Sequence, residues 1–178
     1  MSILIKDIRA ALSVAGVKDH RYYLSSVCFE PKRIIGSDGH RLIEISGTLR
    51  IEDRPRQVVT RDVLERLLKC VGSAKKNREL VVELTDTHIS VPVLNLSFDV
   101  QESRDWTYPD VERIWPSKFD GIPGAFNWEL VAGCQKAARD WLGVRHVNNL
   151  EHHWDSSGNR LVLAHQAGFR ALIMGLRD

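Results

Sequence analysis

The sequence predicts an α+β fold, because one pattern of residues occurs three times along its 178 positions: a short apolar strand, an amphipathic helix and then further strands. The three helices are predicted to begin near Asp7, Asp62 and Glu129. The repeat is therefore about 50–70 residues long, with unequal insertions. An apolar content of 43% and a charged content of 27% are typical of a folded domain and argue against disorder.

The first repeat begins with the apolar strand Ile3–Ile5. A helix follows, in which apolar side chains with helical spacing share one face: Ile8, Ala11, Leu12 and Ala15. Turn residues at Pro31-Lys32 and Asp38-Gly39 then separate three predicted strands, which are Arg21–Glu30, Arg33–Ser37 and Arg41–Ser46.

The second repeat has the same order of elements. After the strand Gln57–Val59, Thr60 is placed to cap a helix. The apolar face of that helix consists of Val63, Leu64, Leu67, Leu68 and Val71. Three strand-like runs follow, Glu79–Thr85, Ile89–Val91 and Leu94–Val100.

The third repeat begins with the predicted strand Ala125–Trp128, and Asn127 is the expected helix cap. The apolar face of its helix consists of Leu130, Val131, Cys134, Ala138 and Trp141. The strands predicted after it are Val144–Trp154, Arg160–His165 and Phe169–Met174. Because the stretch Trp115–Gly124 is rich in Pro and Gly, it is the expected linker. We therefore expect a two-repeat domain at 1–117 and a single repeat at 118–178.

An odd number of repeats predicts association. A single repeat covers only one helix face and leaves sheet edges open, whereas two repeats complete each other. The third repeat has no such partner along the chain, so we expect a neighbouring subunit to complete it.

Charge and composition exclude several classes of protein. With 25 Lys and Arg against 23 Asp and Glu, the net charge of +2 excludes binding of nucleic acid by bulk charge alone, but not by basic residues gathered on one surface. No apolar run approaches the ~20 residues of a membrane span, and the N-terminus lacks the pattern of a signal peptide. Three scattered cysteines without a CxxC motif indicate reduced thiols and a cytoplasmic location. No nucleotide-binding motif is present, and no cofactor is expected.

Two clusters could indicate catalysis or a metal. In a hydrolase, His40 would be a base oriented by Asp38, but Asp38-Gly39 is a strong turn signal and we favour the turn. His146, His152, His153, His165 and Asp155 could suggest a metal site. Adjacent strand residues such as His152 and His153 point to opposite faces, so we expect no metal there.

Basic residues lie in or beside the three helices, away from the apolar faces. They form either solvated helix faces or a surface for DNA, and charge alone does not favour the second interpretation. They are Lys6, Arg9, Arg61, Arg66, Lys69, Lys75, Lys76, Lys136 and Arg139.

Four short motifs, in order and at compatible distances, resemble the bacterial DNA sliding clamp, the beta subunit of DNA polymerase III. Arg21-Tyr22-Tyr23-Leu24 and Ser37-Asp38-Gly39-His40-Arg41-Leu42 are similar to the family's RYYL and TDGHRL. The segment Tyr108–Pro116 is similar to FPDYRRVLP, and Leu172–Arg177 is similar to the terminal VVMPMR. Ser37 replaces Thr, Gly175 replaces Pro, and the chain is about half the usual length. It therefore resembles a shortened, divergent or phage-like member.

The resemblance implies a clamp fold and a processivity factor without catalytic activity. Such clamps line a central hole with helices, contact the phosphates of duplex DNA without reading bases, and need a separate ATP-driven loader. The helix residues above would then contact DNA, together with Tyr22 and Tyr23. Since family rings contain a dozen such repeats, three repeats per chain imply a homotetramer.

The resemblance also implies a hydrophobic pocket that accepts short linear peptides of polymerases and clamp loaders. The matching positions are Leu24, Ser37, Gly39, His40, Arg41, Leu42, Pro109, Arg113, Ile114, Leu172, Met174 and Leu176. The alternative for the aliphatic members is ordinary strand core. The alternative for the whole protein is a clamp-like adaptor or decoy that binds such peptides without encircling DNA.

Overall fold

The computed structural model describes residues 1–46, 55–103 and 106–176, which form three α-helices and eleven β-strands. The helices are α1 (Ile5–Val14), α2 (Arg61–Val71) and α3 (Trp128–Leu142). The strands are β1 (Ser2–Leu4), β2 (Ser26–Glu30), β3 (Arg33–Ser37), β4 (Arg41–Ser46), β5 (Gln57–Thr60), β6 (Val81–Leu84), β7 (His88–Val91), β8 (Leu96–Asp99), β9 (Glu151–Trp154), β10 (Arg160–His165) and β11 (Phe169–Met174). The predicted α+β class is confirmed. Within these ranges, no helix is long and apolar enough to cross a bilayer.

The helices form where their apolar spacing predicts. The hydroxyl oxygen of Thr60 accepts a hydrogen bond from the backbone N–H of Val63 at 3.5 Å, and the Asn127 side chain accepts one from Glu129 at 3.0 Å. Both predicted N-caps therefore satisfy amides that the first helical turn leaves without partners. Gly143 ends α3 with φ of +76°, a left-handed conformation that glycine adopts at little cost.

The first two units exchange their leading strands. Strand β1 precedes α1 but pairs with β6 of the second unit, and β5 precedes α2 but pairs with β2 of the first. Both pairings are antiparallel. One sheet has the order β1-β6-β7-β8, and the other begins β5-β2-β3-β4. Each unit thus closes one edge of the other's sheet.

The third unit joins the first within the chain. Strand β11 pairs with β4, so that the second sheet continues as β4-β11-β10-β9 and has seven strands. Helix α3 packs against α1, where Trp141 Nε1 donates a hydrogen bond of 2.6 Å to the buried carboxylate of Asp7. The expectation that the third unit has no partner in the chain is therefore corrected at its β11 edge. Its β9 edge has no strand partner among the described residues.

Three predicted strands differ most from the structure. Residues 125–127 form no strand, and Trp128 already belongs to α3. A strand needs a neighbour to pair with, and the leading strands of the first two units find theirs in the other unit. The strand predicted from Arg21 begins only at Ser26, because residues 22–25 form a turn. The strand predicted from Val144 shortens to Glu151–Trp154.

The core has three parts, each bounded by the seven-stranded sheet. One part lies between the first two units and includes Phe29, Leu64 and Leu67. Another lies between the sheet, α1 and α3 around Phe169. The third covers the opposite face of the sheet, where the segment 106–115 packs over Leu42 and its neighbours. This last layer positions the site described next.

Candidate functional site

An apolar cavity of about 270 Å³ lies where β4 meets β11, on the sheet face that points away from the helices. The segment between Tyr108 and Ile114 forms one of its walls. Ten of the twelve predicted pocket residues line it: Leu24, Ser37, Gly39, His40, Arg41, Leu42, Pro109, Ile114, Leu172 and Met174. The structure therefore gathers residues from all four motifs around one cavity.

The turn between β3 and β4 supplies the polar rim of this cavity. Gly39 has φ of +88°, which favours glycine, and its backbone N–H donates to the hydroxyl of Ser37 at 3.1 Å. The carboxylate of Asp38 accepts hydrogen bonds from the backbone amides of His40 and Arg41 at 3.0 and 2.9 Å. Because this carboxylate contacts the backbone of His40, the structure gives no support to an Asp38–His40 catalytic pair.

A buried ion-pair network fixes the wall above the sheet. Glu44, 4% exposed, accepts two hydrogen bonds of 2.8 Å from Arg170 and one of 3.0 Å from Arg33. The Arg170 guanidinium lies 4.1 Å from the ring centre of Trp115, and Arg33 also contacts Glu112. These contacts join β3, β4 and β11 to the segment that carries Pro109 and Ile114.

Arg33 stays protonated inside this network. Burial opposes the charge, but hydrogen bonds to Glu30 and Glu112 raise the pKa of Arg33 above its usual range. Burial also raises the pKa of Tyr108, whose ring lines the cavity, so its phenol stays neutral. Tyr108 therefore adds no charge to the cavity, whose cationic lining residues are Arg21 and Arg41.

Two predicted pocket residues lie away from the cavity. Arg113 is exposed, with Nε 3.3 Å from the Asp110 carboxylate. Leu176 is 55% exposed, and its backbone N–H donates to the carbonyl of Ala125. Arg177, which completes the tail motif, lies outside the described residues.

Tyr22 and Tyr23 belong to the aromatic surroundings of the cavity and not to the helix layer. The ring of Tyr22 lies 4.8 Å from that of Trp106, and its hydroxyl donates to the Thr107 carbonyl. Tyr23 lines the cavity, with its ring 6.4 Å from that of Tyr108. The structure thus separates these two tyrosines from the basic helix residues with which they were grouped.

A second, larger depression of about 750 Å³ lies on the helix side, between α1, α2 and α3. We call it the basic concavity, because nine Lys or Arg side chains and a single carboxylate, that of Asp140, line it. The cations are Lys6, Arg9, Arg41, Arg61, Lys75, Arg78, Lys136, Arg139 and Arg145. Six of them were predicted to contact DNA. A charge excess of this kind attracts polyanions even when the net charge of the chain is small.

Three of these arginines donate hydrogen bonds to carbonyls at helix ends. Arg61 donates to the Ala15 carbonyl at 2.6 Å, Arg78 donates to the Trp141 carbonyl at 2.6 Å, and Arg9 donates to the Gly72 carbonyl. Each therefore binds carbonyls at the C-terminal end of a helix in another unit. A cation at this end is favoured by the helix dipole and satisfies carbonyls that the last turn leaves without partners. These arginines hold the helix layer together.

Other cations of the basic concavity are more available. Lys6 pairs with Glu79 at 2.9 Å, and Lys136 pairs with Asp140. Lys75 and Arg145 are exposed and form no ion pair within residues 1–46, 55–103 and 106–176. These side chains are free to bind an anion at little cost.

Three basic residues that were predicted to contact DNA also lie outside the basic concavity. Arg66 stacks over the ring of Phe98, with 5.4 Å from its Cζ to the ring centre. Lys69 and Lys76 are exposed but do not line the depression. Charge and helical spacing identify a basic face without showing which of its members surround a common depression.

Arg41 lines both cavities. Its Nε bonds Asp38 at 2.9 Å, and its Nη1 lies 2.1 Å from the position that a Cβ at Gly133 of α3 would occupy. Glycine at position 133 thus lets the guanidinium reach from the apolar cavity to the helix layer. Sequence reasoning placed Arg41 only in the pocket.

The histidines do not converge. His152 lies 3.4 Å from the side-chain nitrogen of Gln135, and His153 bonds Glu151 at 3.1 Å. In the part of the chain that the structure describes, no three His, Cys, Asp or Glu side chains are grouped as metal ligands would be.

Sequence reasoning missed several lining residues. Tyr108 and Val111 lie in the quoted motif next to Pro109, and their i, i+3 spacing could have placed both in the apolar wall. Arg78 follows the Lys75-Lys76 pair by two positions and reaches the basic concavity. Arg145 follows α3 and had no signal of its own.

The fold is similar to that of solved bacterial DNA sliding clamps. It matches the DNA polymerase III subunit beta from Pseudomonas aeruginosa over 100% of this chain, with a TM-score of 0.71 and 15% identity. The DNA polymerase sliding clamp from Bacillus subtilis gives a TM-score of 0.72 and 14% identity over 100% of this chain. The DNA polymerase III beta subunit from Thermotoga maritima gives 0.60 and 13% over 99%. The sequence matches no protein-family model and no curated protein.

These alignments cover 66% of the Pseudomonas chain and 64% of each of the other two. The likeness extends to the whole of this chain, including the β4–β11 junction that carries the apolar cavity. This protein therefore has the sliding-clamp fold, and it spans less than two thirds of the clamp chains that it matches.

Proposed function

We propose that this protein is a DNA sliding clamp, a processivity factor that encircles duplex DNA and tethers replication proteins. The observation that carries the proposal is the basic concavity, in which nine cations from all three units surround one depression of the helix layer. In a clamp fold, helices face the central hole, so this layer would face DNA.

The chemistry of the concavity suits phosphates and not base edges. Lys and Arg neutralise phosphates without reading sequence, which allows a protein to move along the duplex. Since a closed ring is held on DNA by topology, a few weak contacts suffice. Lys75, Lys136 and Arg145 are the contacts that we favour, because the helix ends do not use them.

The ring would contain four copies of this chain. Family rings contain a dozen strand–helix–strands units, and this chain supplies three. Among the described residues the two sheets end at β1, β8, β5 and β9, and the β8 and β9 edges are those that we favour for contacts between copies. Replication polymerases and a clamp loader would bind through short linear peptides in the apolar cavity.

The test compares two triple variants with the same change in charge. Lys75, Lys136 and Arg145 are replaced by Glu in one variant, and Lys18, Lys32 and Lys69 in the control. Copies are assembled in the presence of nicked circular DNA, and DNA retention is measured by gel filtration before and after the circle is cut. We expect the parent and the control to be retained on the circle and released when it is cut. The concavity variant should be lost at moderate salt.

Two results would contradict the proposal. Equal retention of both variants would exclude the basic concavity as the DNA surface. A parent protein that binds the polymerase peptide but is never retained on the circle would favour the clamp-like adaptor.

A further inference from the structure

We infer that the third units of two copies complete each other by exchanging the segment before α3, so that residues 125–127 of each copy pair with β9 of the other. The inference deepens the proposed ring and rests on it, because it names the contact through which two copies join. The evidence is the internal repeat of the chain itself.

The first two units define a rule for strand exchange. In each, the residue just before the helix pairs with the first residue of the strand that follows the helix of the other unit. Leu4 pairs with Val81 at the start of β6, and Thr60 pairs with Ser26 at the start of β2. Preceding residues continue the antiparallel register, with Ile3 opposite Val82 and Val59 opposite Val27. The rule therefore fixes both the partner strand and the register.

The third unit has both halves of this arrangement, but neither half pairs with a strand at these positions among the described residues. The Ala125 carbonyl accepts one hydrogen bond of 2.8 Å from the backbone N–H of Leu176. Residues 125–127 precede α3 but form no strand, and β9 has no neighbour on its outer side among the described residues. A second copy supplies what is missing on both sides at once. By the rule, Asn127 pairs with Glu151 of the second copy, Phe126 with its His152, and Ala125 with its His153.

The directions of the side chains agree with this register. In the two internal pairings, Ile3 with Val82 and Val59 with Val27 are buried together on the helix side. Phe126 is buried in the core between α3 and the sheet, and His152 contacts Gln135 of α3. Both members of the predicted pair thus already point to the helix side, and a register shifted by one residue would place them on opposite faces.

Three large apolar side chains near this edge are exposed. Ile122 is 82% exposed and Trp128 is 65% exposed, on either side of the segment that would form the new strand. Phe119 is half-exposed, and its ring lies 5.4 Å from that of His153 on β9. Exposed apolar side chains beside an open strand edge are typical of an interaction surface.

The structure also excludes the first unit as the partner of the third unit of another copy. In the first unit, the strand that the rule would use is β2, which already lies between β5 and β3, so no position beside it is free. The second unit has a free edge at β8, but β8 is a last strand, and the last strands β4 and β11 pair with each other. A two-fold contact between third units is the arrangement that repeats the internal rule.

Disulfide trapping between separately produced chains tests the register. Both chains carry Cys70→Ser, which removes the one exposed thiol among the three cysteines. One chain then carries Ala125→Cys and the other His153→Cys, and they are mixed and oxidised. Opposed strand residues have Cα atoms about 4.5–5.5 Å apart, which suits a disulfide. We expect a covalent pair of chains, and the matched control with His152→Cys, on the opposite face, should not form it.

The outcomes separate this inference from the proposed function. Equal trapping at positions 152 and 153 would overturn the register, and no trapping at either would overturn the pairing. If trapping fails while the native mass remains that of four chains and circular DNA is retained, the proposed ring stands without this contact. If trapping succeeds and DNA is not retained, the pairing stands and the clamp proposal fails.

Discussion

Met174 and Leu176 are two residues apart, yet only Met174 lines the apolar cavity. We predict that Met174→Ala weakens binding of a fluorescein-labelled, polymerase-derived clamp peptide by about 1–3 kcal/mol, since a central apolar contact is lost. Leu176→Ala, at a 55% exposed site, should leave the affinity unchanged. Fluorescence anisotropy checks both. Equal effects of the two substitutions would contradict the cavity as the docking site.

Trp141 stabilises the fold partly through a single hydrogen bond from its indole N–H. Its indole N–H donates to the buried Asp7 carboxylate, which joins α3 to α1. Trp141→Phe preserves most of the apolar contact and removes this donor, so we predict a loss of about 1–3 kcal/mol in the free energy of unfolding. Urea denaturation followed by circular dichroism measures it. Tyr22→Phe, which removes an exposed hydroxyl donor to the Thr107 carbonyl, is the control and should have little effect.

At the scale of elements, helix α1 lies directly against strand β3. A Cβ placed on Gly36 would lie 2.0 Å from the Ala11 carbonyl oxygen, so only glycine allows this approach. We predict that Gly36→Ala lowers the free energy of unfolding by about 3 kcal/mol, because the backbone of the helix must move. Gly72→Ala meets no atom within 4 Å, although its φ of +74° strains it. A larger loss at position 72 than at 36, by urea denaturation, would contradict the packing argument.

The lengths of the elements show where local signals suffice. Strands β3, β4, β10 and β11 begin and end at the predicted residues. Turn residues bound each of them, and each pairs with neighbours on both sides. The predicted strand at residues 125–128 is absent, because its partner is not supplied by this chain.

At the scale of the whole molecule, the first and third units share one sheet and one helix contact. We therefore predict a single cooperative unfolding transition in which neither unit unfolds alone. Phe29→Ala in the first unit and Phe169→Ala in the third should each lower the free energy of unfolding by about 3–5 kcal/mol. Each should shift the urea midpoint of the whole protein. Both side chains are almost fully buried. Coincident urea transitions by tryptophan fluorescence and circular dichroism would agree with this, whereas two separated transitions in the Phe169→Ala variant would contradict it.

The sequence alone predicted the three helices, the N-caps Thr60 and Asn127, and ten of the fourteen residues that line the apolar cavity. Helical spacing, capping residues and turn residues act over a few positions, so the linear order contains them. The apolar cavity followed from four motifs whose residues resemble those of a known family. Composition also showed that basic side chains accompany each helix.

Only the tertiary structure decided which of these residues meet. The β4–β11 pairing joins residues more than 120 positions apart, and no local pattern specifies that register. The same packing assigns Arg9, Arg61 and Arg78 to helix ends and leaves Lys75 and Arg145 available, although all five are basic residues in or beside helices. The physical reason is that a basic side chain pairs with whichever carbonyl or carboxylate lies within hydrogen-bond distance. The packing of the units determines which of these groups is that close.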